Sequence, residues 1–201
     1  MRPEVPSGAA RHTWPVTRIV AGSAGGRRLA VPPKGTRPTS ERVREALFGA
    51  LEAAFEFDGI HLLDLYAGSG ALGFEALSRG ASVVTFIESD RRAVDVLRAN
   101  AAALGLAGAR VVAGPVESVV AGEPDRVYDI VLADPPYALA NDALGAVLAD
   151  LLAKGWVAPD GLVVLERAAR DGEPDWPDGL APTRSRRYGD TVLHWAQPSS
   201  E

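Results

Sequence analysis

The segment Asp134-Pro135-Pro136-Tyr137 combines an acid, two prolines and an aromatic ring directly after an apolar run. Paired prolines fix φ and remove two N–H donors, so the segment is rigid and its main-chain carbonyls point outward. An exocyclic NH2 of a flipped nucleobase could donate one hydrogen to such a carbonyl and one to Asp134, while Tyr137 stacks on the base. These contacts would align the amine nitrogen for alkylation. We therefore predict a catalytic site formed by Asp134, Pro135, Pro136 and Tyr137.

A glycine-rich segment, Asp64-Leu65-Tyr66-Ala67-Gly68-Ser69-Gly70, is the second candidate site. Its glycines allow a tight turn and close approach of a ligand to peptide N–H groups. The Asp64 carboxylate would repel a pyrophosphate but would attract an ammonium group. Glu88, 20 residues beyond Gly68, stands where an acid can accept hydrogen bonds from ribose hydroxyls. S-adenosylmethionine has an ammonium group and a ribose but no phosphate, so we predict it as methyl donor, bound by Asp64, Tyr66, Gly68, Ser69, Gly70 and Glu88.

Other interpretations stay open. Residues 68–73 also match G-x-G-x-x-G, which favours a nucleotide-binding dehydrogenase, although no His or Lys follows strand four as an acid or base. An adenine-N6 methyltransferase acting on DNA or RNA could use the same Asp134 motif. A non-catalytic RNA-binding module would not need Asp64, Glu88 and Asp134 together. No metal site is expected, since there is no cysteine and the three histidines are far apart.

The body of the chain must place these motifs at strand ends. Strand and helix patterns alternate, which predicts an α/β fold with a mostly parallel sheet covered on both faces. The strands are predicted at 60–66, 82–87, 109–113, 127–133 and 161–165, and the helices at 71–78, 90–104 and 141–152. A terminal hairpin over 186–195, with a Gly189-Asp190 turn, predicts an antiparallel edge.

The N-terminal region has a different character. We predict residues 1–16 to be a disordered tail. Residues 17–55 are expected to form an RNA-contacting hairpin, with strands at 18–21 and 27–31, and a helix that begins near Thr39-Ser40. Residues 56–201 are expected to form the methyltransferase domain.

Charge is distributed unevenly along the 201 residues. Residues 1–44 carry +7, and the remainder carries −12, for a net charge of −5. A basic arm on an acidic body predicts contact with a polyanion. We predict phosphate contacts at Arg18, Arg27, Arg28, Arg37, Arg42 and Arg44. No apolar run approaches the roughly 20 residues that span a bilayer, so we expect a cytoplasmic protein that does not enter membranes.

The chain resembles the RsmD family of bacterial rRNA guanine-N2 methyltransferases from about Thr17 to Trp195. The specific part is N-terminal, namely Arg18-Ile19-Val20, Gly25-Gly26-Arg27-Arg28-Leu29 and Arg37-Pro38-Thr39-Ser40-Glu41-Arg42-Val43-Arg44-Glu45-Ala46-Leu47-Phe48. The resemblance also includes the glycine-rich segment, the Asp134 motif and the closing Tyr188-Gly189-Asp190-Thr191.

This resemblance implies a Rossmann-like class I methyltransferase fold with a seven-stranded sheet. It implies N2 methylation of one guanine in small-subunit (16S) rRNA, within an assembled or assembling 30S subunit. We expect the enzyme to be a monomer. One departure follows the third strand, where related enzymes often have an acid for the adenine amino group and this chain has Gly114-Pro115-Val116. Adenine is then expected to pack near Val116.

Overall fold

A seven-stranded mixed sheet forms the centre of the molecule. The structure, a computed structural model, describes residues 16–32 and 39–199. Its strands are β1 (Val16–Arg18), β2 (Arg28–Ala30), β3 (His61–Leu65), β4 (Val83–Glu88), β5 (Ala109–Ala113), β6 (Tyr128–Ala133), β7 (Val157–Ala168), β8 (Leu180–Tyr188) and β9 (Thr191–Pro198). Its helices are α1 (Glu41–Glu52), α2 (Ala71–Ser78), α3 (Arg91–Leu104), α4 (Val116–Val120) and α5 (Asn141–Ala153).

The strand order in the large sheet is β5-β4-β3-β6-β7-β9-β8. The first five of these strands are parallel, and β9 and β8 complete the sheet as antiparallel strands. This order confirms the predicted fold class. From β3 the chain first adds strands on one side, β4 and β5, and then on the other side, beginning with β6. Open α/β sheets bind ligands at such a change of side, at the carboxyl ends of their strands.

Alternating side chains of the central strands build two separate cores. Leu62 of β3 and Phe86 of β4 lie on one face with α1, α2 and α3, whereas Leu63 and Ile87 lie on the other with α4 and α5. Successive residues of a strand point to opposite faces, so apolar strands of this kind are buried on both sides. Both faces of the sheet are therefore covered, as the alternating pattern predicted.

The N-terminal hairpin packs into the first core. Ile19 and Leu29 are buried with Phe48 of α1 and Phe74 of α2. Its first strand lies earlier than predicted, at Val16–Arg18 instead of 18–21. The reason is that Val20 and Ala21 donate their N–H groups to the Glu75 carboxylate of α2, not to a neighbouring strand. Of the predicted tail, residues 1–15 lie outside the described residues.

Most other elements agree with the prediction to within a few residues. Helix α2 spans the predicted 71–78, and Asp90 caps α3 by accepting from the N–H of Ala93. Helix α4 was not predicted, and β7 and β8 are longer than expected. Within the part of the chain that is described, no helix is long and apolar enough to cross a membrane.

Candidate active site

A cavity of about 280 Å³ opens at the carboxyl ends of β3, β4 and β6. It lies where the strand order reverses, as expected for a ligand site in this sheet. Its lining includes Thr39, Asp64, Tyr66, Gly68, Ser69, Glu88 and Asp134. Asp134 of the first predicted site therefore shares one cavity with the second predicted site, although the two come from distant parts of the sequence.

Asp64 is a buried acid at the end of β3. Its Oδ2 accepts a hydrogen bond from the N–H of Gly73 at 2.9 Å, and only 1% of the residue is exposed. Burial raises the pKa of Asp64 to about 8, and the nearby charge of Glu88 adds to this increase. A cationic group bound in the cavity would offset the burial cost of the ionised form. The acid is thus suited to an ammonium ligand.

Glu88 joins two loops around the cavity. Its Oε2 accepts from the N–H of Gly68 at 2.7 Å, and its Oε1 accepts from the N–H of Asp90 at 2.8 Å. Each carboxylate oxygen has further lone pairs. The Glu88 carboxylate is therefore oriented in advance and can still accept from the hydroxyl groups of a bound ribose.

The glycine-rich turn holds two glycines with different roles. Both have positive φ, 55° at Gly68 and 80° at Gly70. A Cβ on Gly70 would lie 2.3 Å from Leu97 Cδ1, whereas the nearest atom to a Cβ on Gly68 is 4.0 Å away. Gly70 is therefore required for packing of α2 against α3, and Gly68 leaves space on the cavity side.

Tyr66 is the one described non-glycine residue with positive φ, at 60°. This conformation is strained for a bulky side chain and marks a constrained segment. The Tyr66 ring lines the cavity, and its hydroxyl donates to Glu117 Oε1 at 3.3 Å. Burial raises the pKa of the Tyr66 hydroxyl, so it is a donor at neutral pH.

The predicted catalytic segment follows β6. Asp134 and Pro136 line the first cavity, and Pro135 is buried beside it. Tyr137 is 52% exposed and lines a second cavity with Arg170, whose guanidinium lies 5.6 Å from the centre of the Tyr137 ring. The acid and the ring therefore line different cavities, although only Pro135 and Pro136 separate them in the chain.

Two further residues at this site were not predicted. The hydroxyl of Thr39 lies 2.7 Å from Glu166 Oε2 and 3.3 Å from Asp134 Oδ2. Burial and the neighbouring Glu166 raise the pKa of Asp134 well above its ordinary value, and burial raises that of Glu166. Glu166 ends the apolar run of β7, and an acid in that position was the available signal.

Comparison with known proteins identifies the family. A family model described as "Conserved hypothetical protein 95" matches residues 17–197. Ribosomal RNA small subunit methyltransferase D of Escherichia coli is 37% identical over 185 residues, which cover 92% of this chain and 91% of that protein. The chain belongs to this methyltransferase D family.

Solved structures agree with that assignment. An E. coli methyltransferase superposes with a TM-score of 0.80 at 35% identity, covering 93% of this chain and 100% of that one. Magnesium protoporphyrin IX methyltransferase from Synechocystis, solved with bound S-adenosylmethionine, has a TM-score of 0.62 at 14% identity, covering 82% and 87%. At such low identity the second likeness shows the fold alone. The fold is that of class I S-adenosylmethionine-dependent methyltransferases.

The arginines predicted to contact RNA occupy different environments in this member of the methyltransferase D family. Arg28 and Arg42 are exposed, and Arg18 is exposed beside Glu41 at 2.9 Å. Arg27 donates to the carbonyls of Leu104 and Ala103 at the end of α3, so it joins the hairpin to that helix. Arg37 lies outside the described residues.

For Arg44 the prediction of a phosphate contact is wrong. Arg44 is fully buried and donates to Thr17 Oγ1 and the Arg18 carbonyl, and its Nη1 lies 3.9 Å from Glu75 Oε2. A buried guanidinium held between two elements cannot reach a phosphate. Its place in the helical pattern of α1, between Leu47 and Val43 on the packed face, was the signal that outweighed its charge.

Val116, predicted near the donor adenine, is also buried. It packs in the second core with Leu63 and Ile87 and is not among the residues that line the cavity. Val31, Pro32, Leu72 and Ala93 are among the apolar residues that line it. These four were not singled out in the sequence, because the two segments that contain Val31 and Ala93 approach the cavity only in the folded chain.

Proposed function

We propose that this protein transfers a methyl group from S-adenosylmethionine to the exocyclic N2 of a guanine in small-subunit (16S) rRNA. The proposal rests on one observation: Asp64, Glu88 and Asp134 line the same cavity at the strand ends. The name of the E. coli relative adds the substrate class. We further propose that the substrate is the 30S subunit, assembled or assembling, and that the enzyme acts as a cytoplasmic monomer.

The residues of the cavity fit the donor. Asp64 would bind the ammonium group, Glu88 the ribose hydroxyls, and the Gly68-Ser69 turn would lie against the ligand. When bound, the donor supplies an electrophilic methyl carbon on a sulfonium. We propose that Tyr66 and Gly70 shape this pocket and that Val116 contributes indirectly, through the packing of α4.

At the reacting centre the chain's own groups align and deprotonate the amine. The Asp134 carboxylate accepts one amine hydrogen, a Pro135 or Pro136 carbonyl accepts the other, and the Tyr137 ring stacks on the base. The N2 lone pair forms the new C–N bond as the methyl–sulfur bond breaks, and the nitrogen then loses a proton. Because burial raises the pKa of Asp134, its carboxylate is a competent acceptor for that proton.

The test is transfer of labelled methyl from S-adenosylmethionine to small ribosomal subunits, protein-free rRNA and duplex DNA. We expect label in N2-methylguanosine from subunits, lost on Asp134→Ala, with an unchanged unfolding transition as the control for folding. Label in N6-methyladenine would replace the proposal with an adenine methyltransferase. Absence of both label and donor binding would refute methyl transfer by this site.

A further inference from the structure

Glu166 is a partly buried carboxylate beside Asp134 that the methyl transfer described above does not use. Ala133 of β6 pairs with Leu165 of β7 in the parallel ladder, so the next residues, Asp134 and Glu166, lie side by side at the sheet edge. Burial raises the pKa of both acids, and the negative charge of Glu166 raises that of Asp134 further. The pair therefore needs hydrogen-bond donors to be stable in its ionised form.

Only one protein donor bridges this pair among the described residues. The Thr39 hydroxyl is 2.7 Å from Glu166 Oε2 and 3.3 Å from Asp134 Oδ2, and it has a single hydrogen. The hydroxyl can donate that hydrogen to only one of the two acids at a time, so the pair lacks a second donor from Thr39. A ligand that offers two adjacent donors would match both acids.

The face of β7 that carries Glu166 also carries a residue of the second cavity. Side chains two residues apart in a strand share a face, so Glu166 and Ala168 of β7 point to the same side. Ala168 lines the second cavity with Tyr137, and Asp134 lines the first. Glu166 therefore shares a strand face with a residue of the second cavity and stands beside an acid of the first.

We propose that Glu166 is a specificity-determining residue that accepts the N1–H of guanine while Asp134 accepts a hydrogen of the N2 amine. This inference rests on the proposed function. Guanine has donors at N1 and N2 side by side, whereas adenine has a lone pair at N1, which an ionised Glu166 would repel. The Thr39 hydroxyl stabilises the acid pair until the base provides its own donors.

The test compares two bases at one rRNA position. Wild-type enzyme first labels native small subunits, and the labelled position is mapped. Small-subunit rRNA is then ligated with guanine or 2,6-diaminopurine at that position and assembled with its proteins. Diaminopurine keeps the 2-amino group but has a lone pair at N1. We expect wild-type enzyme to favour guanine by about 10- to 100-fold in kcat/KM, the range for one base-edge contact.

The Glu166→Gln variant decides whether Glu166 sets this preference. A carboxamide can accept from N1–H or donate to an N1 lone pair, so we expect the guanine preference to fall to about threefold or less. Glu123→Gln is the matched control, since Glu123 is exposed in the turn before β6, at the opposite end of the sheet. It should keep the wild-type preference.

Three results would count against the inference. An equal fall of labelling on both bases in Glu166→Gln, with the guanine preference intact, would assign Glu166 a merely structural role. A wild-type enzyme that labels both bases equally would also overturn it. Absence of N2-methylguanosine from native subunits would instead refute the proposed function, and the inference with it. Calorimetric binding of S-adenosylmethionine to each variant shows whether the donor site is intact.

Discussion

Asp64 illustrates at the residue scale how a binding residue lowers the stability of the free protein. Its pKa is about 8 in the folded chain, against an ordinary value of about 4 when the chain is unfolded. The folded state therefore holds an extra proton between these values. This preferential proton binding favours the folded state. Its contribution to the free energy of unfolding is complete below pH 4 and is lost as the pH rises to 8.

The first prediction concerns Asp64→Asn in the absence of ligand. The variant cannot ionise, so its Tm should exceed that of the wild type by a margin that grows from pH 5 to pH 8, at roughly 2–4 °C per kcal/mol. Its affinity for S-adenosylmethionine should fall at least tenfold, since the ammonium loses its counter-charge. Thermal unfolding and calorimetry measure these two effects. An equal Tm margin at both pH values would contradict the pKa assignment.

The second prediction concerns the acid pair beside Thr39. The proposed mechanism requires an ionised Asp134, so kcat/KM should decline as the pH falls through the raised pKa of Asp134. The Thr39 hydroxyl lowers the pKa of both acids, and Glu166 raises that of Asp134. Thr39→Val should therefore move the acidic limb of the pH profile to higher pH, and Glu166→Gln should move it to lower pH. Shifts in the same direction would refute the coupling.

At the scale of elements, the hairpin turn is fixed to α2 by close backbone contacts. The N–H of Ser23 donates to the Ser78 carbonyl at 2.7 Å, and the N–H of Ala24 donates to Ser78 Oγ at 2.9 Å. A Cβ on Gly22 would lie only 2.0 Å from the Ser78 carbonyl oxygen. Gly26 has a similar φ, 80° against 82°, but nothing lies within 4 Å of a Cβ there.

The third prediction uses these two glycines as a matched pair. Gly26→Ala should destabilise the fold by roughly 1–2 kcal/mol, the cost of a left-handed conformation. Gly22→Ala should cost about 1–3 kcal/mol more, because it also breaks the buried hydrogen bonds to Ser78. Denaturant unfolding of both variants tests this. Equal losses would show that the turn does not depend on its contact with α2.

Elements bounded by clear capping or terminating residues were predictable from the sequence, and others were not. Gly70 and Gly80 delimit α2, and Asp90 caps α3, so both helices were located closely. Helix α4 has only five residues and no side-chain cap, and β8 is exposed along most of its length, so its residues show no apolar alternation. Short or edge elements are specified by tertiary neighbours more than by local pattern.

The same distinction applies to the site. Asp64, Glu88 and Asp134 each end a predicted strand, so parallel topology alone brings them together. Thr39 reaches Asp134 across 95 residues through packing of the N-terminal elements, which no local pattern encodes. Glu166 lies beside Asp134 because β6 pairs with β7, and the acid that ends the apolar run of β7 was its only signal in the sequence. Arg44 was misassigned because its charge was considered without the apolar face of α1 on which it lies.

At the scale of the whole molecule, arginines occur on both sides of the site. Arg28 and Arg42 are exposed on the N-terminal elements, and Arg170 and Arg187 line the second cavity with Tyr137. The chain beyond residue 44 is nevertheless acidic, with a net charge of −12 that includes Arg170 and Arg187. An RNA strand would be attracted to these arginines and repelled elsewhere, which would orient it across the site.

The last prediction follows from that arrangement. Replacing Arg170 and Arg187 with Gln should weaken binding to small subunits about tenfold at low salt and reduce the salt slope by about 1 for each lost phosphate contact. Affinity for S-adenosylmethionine should not change. Arg110→Gln is the control, because Arg110 is exposed at the start of β5, on the far edge of the sheet. If the double variant and the control gave the same salt slope, the RNA would have to pass over the N-terminal arginines alone.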